Sequence, residues 1–209
     1  MVDPPGHTAR GMPLGHADRD ADLTREPPLH AGYFDRPALA VAPELIGAQL
    51  RIGPCTGIIT ETEAYGRDDP ASHSFSGPRP RNAAMFGPAG CAYVYRSYGI
   101  HWCLNVVCQR GEAVLLRALD PVEGQSLMEG RRGQTGPRIA AGPGRLAQAM
   151  GITGADDGRP FGPPDFQIVT GQRLPLLVGP RIGISRATDW PWRFGAEGAA
   201  SLSRPFPRR

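Results

Sequence analysis

The chain contains no lysine, and all 23 of its basic residues are arginine. An enzyme that opens a sugar and holds it as a Schiff base needs an amine nucleophile, usually lysine. Only the N-terminal amine remains, so lyase chemistry is disfavoured. Arginine's fixed donor fork suits phosphate, although the complete absence of lysine fits coding bias better than design. Cysteine is also scarce: Cys55, Cys91, Cys103 and Cys108 form no C-x-x-C pair, and three of them fall in apolar runs. Such cysteines act as small buried hydrophobes, and reduced thiols are expected. Neither they nor His73 and His101 have the spacing of zinc ligands, and Gly-Lys-Ser/Thr is missing, which excludes a P-loop; no metal and no cofactor is expected. No early stretch joins a basic region to an apolar one, and no run reaches membrane-spanning length. The expectation is a cytoplasmic protein without a membrane partner, nucleoid-associated if the source is bacterial.

Glycine and proline, at 28 and 23 of 209 residues, are abundant. They favour short elements joined by turns over a helical bundle. With 40% hydrophobic and 21% charged residues, the chain can bury one sizeable core, so a single domain with an appended tail is expected. Residues 1–30 hold three arginines against five acids and lack apolar periodicity, whereas residues 31–209 hold twenty against fifteen. The first segment reads as a disordered leader and the second as the folded domain, with structure starting near Tyr33. The basic excess of the folded part leans mildly toward a phosphate-bearing partner.

Pro37 and Pro43 can open a short helix through Ile46. Gln49–Ile52 and Gly57–Tyr65 read as a hairpin, and period-2 geometry places Glu61, Glu63 and Tyr65 on one face with Thr62 and Ala64 on the other. Cys91–Tyr95 and His101–Cys108 read as strands joined at a tip that carries Tyr98 and Ile100. Leu115–Leu119 continues the sheet, Pro121–Met128 starts a helix, and Leu146–Met150 forms another, entered through Gly142-Pro-Gly-Arg145. Arg181–Ser185 is a late strand candidate. The implied fold is α+β, a single domain with a curved, mainly antiparallel sheet, short helices around it and a protruding β-hairpin.

Four ordered motifs run along the chain: Glu61-Thr-Glu-Ala-Tyr65, then Asp69-Pro-Ala-Ser-His73, then Arg81-Asn82-x-x-Met85-Phe86, then Tyr93-Val-Tyr-x-x-Tyr98-Gly-x-His-x-Cys-Leu-Asn105. With Leu115-Leu-Arg117, Gly142-Pro-Gly-Arg145 and Arg181-Ile-Gly183, this series resembles the alkyladenine (3-methyladenine) DNA glycosylase family over roughly residues 33 to 195. The resemblance implies a monofunctional enzyme that flips alkylated or deaminated purines from double-stranded DNA and hydrolyses the N-glycosidic bond. The expected substrates are of the 3-methyladenine, 7-methylguanine, hypoxanthine and ethenoadenine class, and the expected product is an abasic site. By resemblance Glu63 is the base, with Arg117 and the backbone of Ile182 holding the water. By the same resemblance Tyr65, His73, Tyr95, Asn105 and Ile182 are expected to line the base pocket, Asn105 clashing with the guanine 2-amino group. Tyr98 intercalates with Ile100 beside it. Arg138, Arg145 and Arg181 are expected to contact phosphates. The sequence departs from the family pattern at Gly77-Pro-Arg-Pro-Arg81 and at Ile100, where methionine is frequent. A monomer is expected.

Taken singly, each of these residues has a plainer reading. A strand glutamate usually pairs with an arginine for solubility, and strand tyrosines are usually half-buried packing groups. Two rivals stay open at this level: a catalytically silent binder of damaged DNA, and a hydrolase of free nucleosides. The first has no need of a carboxylate beside an anionic ligand, and the second none of an exposed aromatic at a hairpin tip.

Overall fold

The structure, a computed structural model, describes residues 27–207. Most of the expected leader lies outside these residues. Its last part does not: Leu29 N–H donates to Ile168 O at 2.8 Å, and Pro28 bridges Val169. Ordered chain therefore starts ahead of Tyr33, because the buried side chain of Leu29 extends the sheet edge.

One antiparallel sheet of eight strands organises the molecule. The strands are β1 (Gln49–Ile52), β2 (Cys55–Tyr65), β3 (Ala92–Ser97), β4 (His101–Val107), β5 (Ala113–Glu123), β6 (Phe166–Val169), β7 (Leu176–Gly179) and β8 (Arg193–Ala196). Their order is β3-β4-β5-β2-β1-β6, with β8 on the far half of β2 and β7 outside it. β2 is thus central: β5 runs along one side, while β1 and β8 share the other. Short helices α1 (Ala31–Phe34), α2 (Ala38–Glu44), α3 (Gln125–Arg132) and α4 (Pro143–Met150) accompany it.

The alternation read from β2 holds. Thr62 donates to Ala42 O of α2 at 2.9 Å and Ala64 joins the main core. That core gathers Phe34, Leu45, Leu50, Ile59, Leu116 and Leu146 between the sheet and α2 and α4. Glu61, Glu63 and Tyr65 leave by the opposite face. Truncating one of these leucines to alanine costs about 2–5 kcal/mol. Register shifts between β2 and β5 flank Glu61, leaving Thr60 and Arg117 without directly opposed partners. Such bulges re-aim side chains next to functional sites, and here they let Arg117 reach across to β2.

Three expectations are corrected. Pro121–Glu123 continues β5, and the helix begins only at Gln125, after Gly124 takes a φ of 70°. Arg181–Ser185 is not a strand but a run of bends, because Arg181 is turned into the protein. α2 closes with Pro43 inside it, its first turn opening after Pro37. All four cysteines are buried free thiols.

Candidate active site

A cavity of about 860 Å³ opens against Tyr65 at the end of β2, within the size that holds a small ligand, about 300–1,000 Å³. Tyr65, His73, Tyr95, Asn105, Arg117 and Ile182 line it, and Tyr98 stands at its edge. Residues from six separate stretches of sequence therefore converge there. Glu63 is fully buried immediately behind this wall.

Glu63 is held from three directions. Its Oε2 accepts from Tyr65 Oη at 2.8 Å and faces Arg117 Nη1 at 3.2 Å, while Oε1 accepts from Ile182 N at 2.7 Å. Burial raises its pKa above the ordinary carboxylate value, and Arg117, the Ile182 N–H and the Tyr65 hydroxyl offset only part of that rise. The result is a stronger base than a surface glutamate. The Ile182 N–H donates directly to this carboxylate and fixes its orientation. A carboxylate oxygen has two lone pairs, and Oε1 keeps one beyond its bond to Ile182.

Glu61, on the same face, lies behind Glu63. Its Oε1 accepts from Arg117 Nε (3.0 Å), Arg193 Nε (2.7 Å) and Ser203 Oγ (2.8 Å), and its Oε2 from Ser203 N (2.6 Å). Burial opposes its charge, but Arg117, Arg193 and Ser203 together outweigh that and hold its pKa below the ordinary value. Arg117 thus bridges the two carboxylates, and its own pKa is raised because the pull of Glu63 and Glu61 exceeds the effect of its burial.

The aromatic side of the cavity is similarly fixed. His73 Nδ1 and Tyr93 Oη are 2.8 Å apart, His73 stands edge-on to Tyr95 with centroids 4.6 Å apart, and Tyr93 stacks on Tyr95 at 5.5 Å. Burial and the Arg81 guanidinium lower the His73 pKa, so the ring is neutral at neutral pH. Asn82 sets the loop that carries it, donating to His73 O and Gly77 O and accepting from Arg79 N. Asn105 is buried and donates to Tyr93 O at 2.9 Å.

Tyr98 sits in the connection between β3 and β4, where Ile100 N–H donates back to Ser97 O. It is 87% exposed and Ile100 65% exposed. Its φ of 50° lies in the left-handed region, which costs a non-glycine residue about 1–2 kcal/mol. Pro143, at the start of α4, also lines the cavity. Gly144 packs there against His101, whose Cβ would lie 2.8 Å from an added Cβ, so only glycine allows this approach of helix and hairpin.

The arginines divide. Arg138 and Arg145 are exposed. Arg181 is not a phosphate contact: it is buried, paired through both terminal nitrogens with Asp69, bonded to Ala64 O, and packed 4.7 Å from the Tyr65 ring and 5.2 Å from Trp192. Arg131 and Arg132 of the basic stretch are likewise turned to internal acceptors, Ala149 O and Ile139 O. Arg193 and Ser203 escaped the sequence reading. An arginine between Trp192 and Phe194 was the available signal for the first, and nothing local marks the second.

The profile of the family described as Methylpurine-DNA glycosylase (MPG) matches residues 32–200. A relative from Agrobacterium fabrum (strain C58) is 55% identical over 186 residues, 86% of this chain and 94% of its own. One from Rhodopseudomonas palustris (strain CGA009) is 55% identical over 187 residues, 87% of this chain and 91% of its own. One from Nitrosospira multiformis is 52% identical over 178 residues, 83% of this chain and 92% of its own. Each carries the name "Putative 3-methyladenine DNA glycosylase".

Proposed function

Because this chain belongs to the methylpurine-DNA glycosylase family and is a DNA glycosylase of alkylation repair, we propose that it takes a damaged purine from duplex DNA into the cavity and hydrolyses its N-glycosidic bond with water activated by Glu63. The observation that carries the reading is Glu63 itself: a buried carboxylate of raised pKa, oriented by Arg117, Tyr65 and Ile182, directly behind an aromatic cavity. Water gives its proton to Glu63 Oε1 as its oxygen bonds the anomeric carbon. The carbon–nitrogen bond breaks with its electron pair passing to the purine, and an abasic site remains.

An alkylated purine is cationic and departs as a neutral base, so binding and water placement are the main tasks. Stacking a cation on a tyrosine is worth about 0.5–2 kcal/mol. Arg181 already lies against one face of Tyr65, so this attraction rests more on Tyr95. For neutral lesions such as hypoxanthine and ethenoadenine, neutral His73 offers a hydrogen bond to the leaving base. Asn105 excludes guanine by crowding its 2-amino group. Extruding a base costs a few kcal/mol of stacking, and Tyr98 with Ile100 fills the gap. Arg138 and Arg145 contact phosphates, the latter in the first turn of a helix whose N-terminus favours anions.

Among the described residues no helix is long and apolar enough to cross a membrane; we place the enzyme with the DNA in the cytoplasm, working as a monomer. Duplexes carrying 7-methylguanine, hypoxanthine or ethenoadenine test the reading after incubation and hot-alkali cleavage of abasic sites. Cleaved strands for the methylated base are expected. Intact strands for every lesion would sink the proposal.

A further inference from the structure

We propose that Glu61 and Ser203 are positioning residues for this reaction, with the C-terminal strap of residues 201–206 clamping Arg117 onto Glu63 from behind the site. The inference rests on the reading of Glu63 as the base and assigns work to groups that never touch the substrate.

The clamp is a closed set of contacts. Arg117 uses its guanidinium fork on three partners: Nε on Glu61 (3.0 Å), Nη1 on Glu63 (3.2 Å) and Nη2 on Ser203 Oγ (3.2 Å). Rotating the fork toward the cavity breaks the other two contacts. Glu61 is in turn fixed by Arg193 of β8 and by both the backbone N–H and the hydroxyl of Ser203. The strap is tied down on either side. Ser201 Oγ shares a 2.7 Å hydrogen bond with buried Thr60, Arg193 donates to Arg204 O, and Phe206 lies 3.8 Å from the Arg193 guanidinium. Phe206 also occupies the space that an added Cβ on Gly195 would take. A surface strap needs no buried ionic anchor; this one supplies two donors to a carboxylate with no exposure to solvent. Ser203 lies beyond residues 32–200, the span matched by the family profile.

The clamp also bears on proton transfer. Around Glu63 stand Glu61 and Tyr65 of β2, Arg117 of β5, Arg193 of β8, Tyr95 of β3, Cys103 of β4 and the Ile182 N–H. Glu61 is the carboxylate nearest in effect among the described residues, and its negative charge pushes the Glu63 pKa up. Neutralising Glu61 therefore acts on Glu63 in two opposed ways: it removes a small upward push on the pKa, and by loosening Arg117 it removes a larger downward one.

Single-turnover cleavage of a lesion duplex, measured across pH on Glu61→Gln, Ser203→Ala, Ser203→Thr and Glu63→Gln, tests this, with melting curves and lesion-DNA binding on the same proteins. Displacing a fork by about 1 Å can cost 100-fold in rate, and Glu61→Gln is expected to lose about tenfold or more per folded molecule. Its acid limb should move to higher pH, because losing the hold of Arg117 on Glu63 outweighs losing the charge of Glu61, while lesion-DNA binding holds. Ser203→Ala, which removes the hydroxyl's bonds to both Glu61 and Arg117, should lose about fivefold or more, and Ser203→Thr, which keeps the hydroxyl, should recover most of it. A parent-like rate and acid limb in Glu61→Gln, or a loss seen only in binding, overturns the proposal even when Glu63→Gln is inactive. An active Glu63→Gln overturns the reading of the base and this inference with it.

Discussion

At the scale of single residues, two glutamates two positions apart on one strand face meet opposite fates because their partners differ. Glu61 has two arginines and a serine, which pull its pKa down; Glu63 shares one arginine and is buried more deeply in effect, so its pKa rises. The signs separate their contributions to stability. A depressed carboxylate stabilises the fold above its unfolded pKa of about 4.3, and that contribution disappears as pH falls through the folded value. A raised one favours the fold only below its unfolded value, and this is lost as pH rises through the folded pKa. Melting curves at pH 7 should therefore show Glu61→Gln less stable than the parent and Glu63→Gln more stable, with both differences shrinking toward pH 4. Period-2 geometry was enough to put both carboxylates on one face. It could not distinguish them, since Arg193 and Ser203 arrive from the far end of the chain.

At the scale of elements, the hairpin of β3 and β4 stores strain at the position proposed to enter DNA. Tyr98 pays nothing back in packing, being largely exposed. Replacing it by glycine removes about 1–2 kcal/mol of left-handed strain against roughly 0.5–1 kcal/mol of added chain entropy. Tyr98→Gly should thus melt at or slightly above the parent temperature while losing most of its glycosylase rate on duplex DNA. Gly144→Ala has the opposite signature: a Cβ forced against His101 should cost about 1–3 kcal/mol. The central strands β2 to β5 were legible from alternation and β-branched runs. Strands β6 to β8 were not, since each has only four residues and, unlike the equally short β1, none is tied by a tight turn to a long alternating strand next to it in sequence. The helix expected from Pro121 failed for a related reason: pairing of β5 with Gly57 and Thr56 overrides the local preference.

At the scale of the whole molecule, the sheet gathers the proposed base Glu63, an aromatic wall and the exposed Tyr98 from distant segments, and the arginines are sorted between surface and interior. That sorting is what composition conceals. Arg181 belonged to a motif and resembled a ligand for phosphate, yet its charge is consumed by Asp69 in the protein interior, binding the loop before His73 to the loop bearing Ile182. Net basic charge therefore overstates the surface available to DNA. Mutating Arg145 should weaken DNA binding at low salt and reduce its salt dependence, as expected of a phosphate contact. The most direct test of the account is the single-turnover rate of Glu63→Gln on a duplex containing one alkylated purine, alongside its affinity for that duplex. The account predicts binding like the parent's with abasic sites no longer formed; a rate equal to the parent's would contradict it.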